Sequence, residues 1–292
     1  MRIALACLCL LLATLGACAQ ELEPRSYTNT PVGMNFLLGG IGYLEGSVLG
    51  DSATLLENTE VEHAFPVIGY ARALDVLGKS GKFDVVAPYS CLDGSTEYLG
   101  QGRARDVCGW GDPSMRLSVN FFGAPAMSLQ EFAGYSQDLI VGAGVRVRAP
   151  LGEYDNDKLL NPGLNRWSIT PEIGLSQALG RITLELIAAA AFFGDNEDFF
   201  GHRKREQDPI CSLQGHVIYS FGNGAWLALD ATGYTGGRTT TDDVRGDDLQ
   251  RNSRFGATLA WPVNRRNSLK LALSSGVSAR SGGDYDAIAL MW

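Results

Sequence analysis

The chain has 292 residues, with 24 basic and 32 acidic side chains, a formal net charge of −8, and 36 glycines. The acidic balance argues against nucleic acid as a partner. No run of about 18 or more apolar residues follows the amino-terminal segment, so no membrane-spanning helix is expected, and the length suits one large domain or two small ones.

The chain begins MRIALACLCLLLATLGACAQ, with one positive charge at Arg2, an apolar run from Ile3 to about Leu15, and small residues after it. This is the pattern of a cleaved secretory signal peptide, residues 1–19, ending at Ala17-Cys18-Ala19. A lipoprotein signal with Leu15-Gly16-Ala17 before Cys18 is the alternative parse. Either way the chain is expected to leave the cytoplasm, and residues 20–292 form the mature domain. Removing Arg2 leaves 23 basic residues and a net charge of −9.

From about Met34 onward, segments of roughly ten residues alternate in polarity. SMRLSVNFF sets Met115, Leu117, Val119 and Phe121 against Arg116, Ser118 and Asn120. DLIVGAGVRVRA opposes Leu139, Val141, Ala143, Val145 and Val147 to Gly142, Gly144, Arg146 and Arg148. RWSITPEIGLSQ, RITLELIAAAAFF, CSLQGHVIYSF, SRFGATLAW and SLKLALSSGV behave alike. A period of two means strands with one apolar and one polar face. Long polar connections (LGEYDNDKLLNPGLN, GDNEDFFGHRKREQDP, GGRTTTDDVRGDDLQ) alternate with short turns (ALGR, FGNGA, PVNRRN). FGAPAMSLQEFAGYSQ breaks this alternation and could hold a short helix. About twelve strands fit between Met34 and Trp292, and an even number returns both ends to one side. The expected fold is therefore all-β: a transmembrane antiparallel barrel of outer-membrane type.

That fold accounts for the chain's last residues, DYDAIALMW. Ile288, Leu290 and Trp292 fall on one face, and an interfacial aromatic belongs to the girdle of a membrane barrel. Trp292 is expected to act as a signal to barrel-assembly machinery. By parity the inward set includes Arg116, Arg146, Arg148, Glu172, Glu185, Gln214, His216, Asp230, Arg254 and Lys270. Both charge signs occur, so pairing across a partly filled lumen is expected rather than a wide aqueous pore. Inward Gly142, Gly144, Gly174 and Gly256 would leave room for a passage or allow strand curvature. Tyr154, Trp167, Phe199, Phe200 and Tyr234 are candidate solute-capture aromatics of the outer loops.

Cys91 and Cys108 flank a polar, glycine-rich segment and could close a loop disulfide. The alternative is that Cys91, Cys108 and Cys211 stay unpaired. The acidic stretches EYDNDK and TTDDVRGDD lack the fixed spacing of a calcium loop and read as solvated loops, compatible with divalent ions bridging lipopolysaccharide. No phosphate loop, zinc spacing or GxSxG element occurs. The residues two after His63, His202 and His216 are Phe65, Lys204 and Ile218, so no His-x-Ser pair is present. No catalytic residue, metal or cofactor is expected.

The stretches ELEPRSYTNTPVGMNFLLGGIGY, VRAPLGEYDNDKLLNPGLNRWSITPEIGLSQALG, QDPICSLQGHVIYSF, WLALDATGYTGGRTT and NSRFGATLAWPV occur in this order. Together they resemble the outer-membrane transporter family named for the meta pathway of phenol degradation. The resemblance runs from about Gln20 to Trp292. It implies a barrel in the outer membrane of a Gram-negative bacterium, in contact with lipid and lipopolysaccharide, passing small hydrophobic or aromatic molecules passively. The alternative is a structural or surface-binding barrel that transports nothing.

Overall fold

The computed structural model describes residues 23–49, 56–98 and 101–292. The expected signal peptide lies outside the described residues. In chain order the strands are β1 (Asn35–Leu49), β2 (Leu56–Val76), β3 (Lys79–Tyr98), β4 (Gln101–Trp110), β5 (Ser114–Phe122) and β6 (Leu139–Arg148). They continue as β7 (Ser168–Leu179), β8 (Ile182–Phe193), β9 (Asn196–Phe199), β10 (Arg203–Gln207), β11 (Ile210–Ser220) and β12 (Trp226–Gly236). The last are β13 (Thr239–Thr241), β14 (Val244–Arg245), β15 (Gln250–Pro262), β16 (Ser268–Ser278) and β17 (Gly282–Met291).

Twelve strands close into an antiparallel barrel: β1, β2, β3, β5, β6, β7, β8, β11, β12, β15, β16 and β17, each paired with the next. Closure is made by β1 on β17, from Gly40↔Met291 to Leu49↔Gly282. Trp292 extends that ladder by exchanging main-chain bonds with Gly39, at 2.7 and 2.8 Å. A closed ladder leaves no wall edge unpaired in a medium that offers no water.

The outward face is apolar. Along β8 it carries Ile182, Leu184, Leu186 and Phe192; along β7, Ile169, Ile173 and Leu175. Their inward neighbours Ser176, Glu185 and Ile187 are buried. This arrangement is inside-out relative to a soluble sandwich, whose apolar faces meet in a core. Tyr219, Phe221, Trp261 and Trp292 stand exposed at one end of the wall, where the short turns lie. Trp167 and Phe192 stand at the other.

The turns follow local chemistry. Leu77 and Gly78 adopt positive φ between β2 and β3, and Asp75 Oδ1 accepts the Gly78 N–H at 2.7 Å. The anticipated short helix is α1 (Leu129–Phe132), between β5 and β6. Ser128 and Glu131 form a reciprocal capping box at its start.

Three connections differ from the expected loops. The segment between Cys91 and Cys108 is strand, because β2 and β3, at 21 and 20 residues, run well past the wall. A tilted membrane strand needs only about 9–11 residues. β4 pairs with the outer half of β3 and β5 with its inner half, so β4 and β5 make one descending strand interrupted at Gly111-Asp112-Pro113. Cys91 and Cys108 lie directly opposite and are joined by a disulfide, a cross-strand staple rather than a loop closure. Cys211 is free and exposed on the outward face of β11. The charged connections after β8 and β12 also fold, into a four-stranded sheet in the order β14-β13-β10-β9 above the wall.

Replacing both Cys91 and Cys108 by serine should leave the barrel heat-modifiable on gels, since the staple sits beyond the wall. The β3–β4 extension should be cut faster by added protease, and limited proteolysis checks this.

Candidate functional site: the lumen and its outer mouth

The ten charged and polar residues placed inward by parity do point inward. Arg116, Glu185, Gln214, His216, Asp230 and Arg254 are buried, and Arg146, Arg148, Glu172 and Lys270 share the same alternation. The structure gathers four of them into two groups. On β11, β12 and β15, His216 Nδ1 lies 2.7 Å from Asp230 Oδ1, and Thr258 Oγ1 donates to Asp230 Oδ2 at 3.0 Å. On β5 and β7, Arg116 Nε donates to Glu172 Oε1 at 2.9 Å, with an Arg116 side chain only 2% exposed. Arg254 stands apart: its Nη2 donates to Ser274 Oγ and to the Tyr285 carbonyl, at 3.0 and 2.9 Å. There it covers the stretch above Ser274↔Ala287, where the β16–β17 ladder stops.

Strand alternation gave no sign of what fills the space between these groups. Residues 23–33 climb into the barrel from the short-turn end. Val32 N–H donates to the Met127 carbonyl at 2.8 Å, and Asn29 Nδ2 to the Pro125 carbonyl at 3.3 Å. Tyr27, 1% exposed, donates its hydroxyl to Glu172 Oε1 at 2.7 Å. Arg25 N–H donates to Glu185 Oε2 at 2.6 Å, and its guanidinium lies 5.5 Å over the Trp226 ring. Glu23 reaches Arg146 at 3.3 Å and Arg116 at 3.7 Å. This segment therefore touches β5, β6, β7, β8 and β12, and crosses the lumen.

The inward glycines explain its seat. Gly142 and Gly174 are register partners on β6 and β7. A Cβ on either would collide with the Tyr27 ring. Their missing side chains hold a tyrosine from the chain's own amino-terminal segment rather than opening a passage. Gly144, one inward step higher, faces Glu172.

Above this layer the lumen changes character. Ala191, Ile210 and Tyr234 form a buried apolar cluster, with Phe193 packed on it. Tyr234, expected in a loop, belongs to β12 and points inward, 2% exposed. Arg166, just before β7, lays its guanidinium 4.7 Å from the Phe193 ring centre and donates through Nη2 to Gln207. Tyr154 accepts from Asn196 Nδ2 at 3.0 Å, which ties the β6–β7 connection to β9. Phe199 carries the guanidinium of Arg205 at 4.6 Å, and Phe200 that of Arg203 at 5.8 Å. Trp167 is not part of this mouth; it is exposed on the outward face beside Phe192. Phe193 and Arg166 went unrecognised in the sequence, since nothing distinguishes an inward phenylalanine at a strand's end from its outward neighbour Phe192.

A family model described as "Putative MetA-pathway of phenol degradation" matches residues 50–292. The chain belongs to this family. No curated protein sequence matches it. Among solved structures it is similar to an outer membrane channel from Pseudomonas putida F1, at 21% identity and a TM-score of 0.76, covering 93% of this chain and 98% of that one. It is also similar to the transport unit of the autotransporter AIDA-I from Escherichia coli, at 8% identity and a TM-score of 0.53, covering 94% and 92%. At these identities the likeness is one of fold, and it agrees with the closed barrel described above.

Breaking a buried charge pair by neutralising one partner costs about 3 kcal/mol or more, because the other charge is left without compensation. Glu172→Gln should therefore destabilise the folded barrel by about that amount. Tyr27→Phe removes one hydrogen bond to a carboxylate and should cost less, about 1.5 kcal/mol. Denaturant unfolding in detergent micelles measures both.

Proposed function

We propose that the protein is an outer-membrane channel that passes small hydrophobic or aromatic molecules by facilitated diffusion. The observation that carries this is the layering of the lumen: an outer level where arginines lie on phenylalanine rings beside the buried Ala191–Ile210–Tyr234 cluster, above a level where charges are paired and Tyr27 is seated. Barrels of about 16–18 strands, which leave an open aqueous channel, are wider than this one. Family membership and the likeness to an outer membrane channel support the same reading. In this account the apolar outer wall meets membrane lipid, lipopolysaccharide surrounds the outer sheet, and Trp292 is presented to assembly machinery. Phe199, Phe200 and Tyr154 take up solute at the mouth, and no energy source is involved.

The crossing of the lumen by residues 23–33 favours a second reading, a structural barrel that transports nothing. Flux through purified protein in liposomes separates the two, using polar and aromatic solutes of matched size. Faster entry of the aromatic members is expected. Equal, size-limited flux would indicate a general diffusion pore, and no flux from a heat-modifiable barrel would favour the structural role. Phe199→Ala combined with Phe200→Ala should slow the aromatic solutes and leave the polar ones unchanged.

A further inference from the structure

The geometry points to a binding site for an amphiphilic amine on the outward face of the wall, where β15, β16, β17 and β1 adjoin. Its ammonium would rest on Glu45 and Asp286 and its chain against Phe255, Leu273 and Ile288. The site requires only that the apolar wall face lipid, not that a solute cross the lumen. Three features carry this inference.

The first is a groove. Pairing of β16 with β17 ends at Ser274↔Ala287, while β17 stays paired with β1 as far as Gly282 and β16 with β15 as far as Ser278. At that point the wall carries an open groove of about 550 Å³. Tyr43, Phe255, Leu273 and Ile288, all exposed, line it together with Glu45 and Asp286.

The second is a row of like charge. Glu62, Glu45 and Asp286 are register partners across β2, β1 and β17, and all three are exposed. Glu60 and Asp284 follow one row further from the short turns, on either side of Ser47. Like charges directly opposite one another in a sheet repel. No cation among the described residues pairs with any of these five carboxylates. The Tyr43 hydroxyl lies 2.8 Å from Glu62 Oε2 and 3.2 Å from Glu45 Oε2. Arg254 beside the groove points inward and donates to Ser274 and Tyr285 instead.

The third is orientation. Toward the short turns the same three strands carry Ala64, Tyr43 and Ile288, then Pro66, Ile41 and Leu290. The surface thus changes from apolar to acidic in the sense in which an outer-leaflet amphiphile lies, chain toward the short turns and head toward the long connections. A chain that leaves lipid for the groove exchanges one apolar surface for another, so the head decides the preference. A primary ammonium stays charged at neutral pH and brings three donors, and charge-assisted bonds to carboxylates are stronger than those of a neutral hydroxyl.

Photolabelling of the full-length protein in uncharged phosphatidylcholine liposomes tests this without requiring flux. The probe is dodecylamine with a diazirine at mid-chain, and its adducts should map to the segments around Phe255, Leu273 and Ile288. Dodecylamine should suppress that labelling at a concentration about tenfold or more below the one dodecanol needs. Dodecanoate should do no better than dodecanol. Glu45→Gln combined with Asp286→Asn should erase the difference between amine and alcohol; both positions are exposed, so the barrel should stay heat-modifiable on gels. Dodecanol competing as well as dodecylamine would make the groove an ordinary lipid-facing surface and overturn the proposal. So would adducts spread evenly over the wall, or a groove left unlabelled, as it would be beneath a second copy of the chain. Suppression by millimolar magnesium chloride as complete as by dodecylamine would assign the carboxylates to a metal ion instead. A folded double variant that keeps the amine preference would overturn the proposal too.

Discussion

A charge inside a barrel must be paired or hydrogen-bonded, because the wall shuts it off from bulk water and burial of an unsatisfied ion is costly. Much of the interior follows from that constraint. Arg116 is nearly inaccessible and is held by Glu172 from the neighbouring wall and by Glu23 from the amino-terminal segment. Glu185 takes the Arg25 N–H and the Ser176 hydroxyl, at 2.6 and 2.8 Å. The wall thus supplies charges that the entering segment helps to satisfy, and the segment supplies a carboxylate that wall arginines hold. Tyr27 settles its register: its hydroxyl must reach Glu172 while its ring lies on Gly142 and Gly174. A side chain at either glycine would push the ring away, so the two strand positions and the tyrosine form one unit.

The result is a lumen divided by chemistry. Below, ion pairs and a seated aromatic ring fill the narrow section that twelve strands enclose. Above, the wall turns apolar at Ala191, Ile210 and Tyr234, and arginines stack on phenylalanine rings. On the outside of the barrel the apolar side chains face outward, where a soluble protein would bury them in a core.

The barrel was legible in the sequence because a period of two depends on so little. Alternation at Met115–Phe121 or Leu139–Val147 identifies a half-apolar strand whatever it pairs with. Parity alone turned all ten predicted residues inward. Tertiary placement was not legible. The glycines at 142 and 174 announce free space, but only the fold shows that Tyr27, well over a hundred residues away in sequence, occupies it. The charged connections after β8 and β12 looked like loops because their short strands carry no apolar face; β10 and β13 pair through their main chains above the wall, where none is needed. The segment between Cys91 and Cys108 looked like a loop for the same reason.

If the lumen is the route of passage proposed above, the amino-terminal segment seated by Tyr27 stands in that route and must limit it. Single-channel conductance in planar bilayers of the unaltered protein beside Tyr27→Ala tests it most directly. Emptying the seat removes the ring between Gly142 and Gly174 and the bond to Glu172. A several-fold rise in conductance, or frequent openings absent from the unaltered protein, is the predicted result. Identical conductance from a variant that is folded and inserted would contradict it, and would mean that the segment lines the lumen without controlling it.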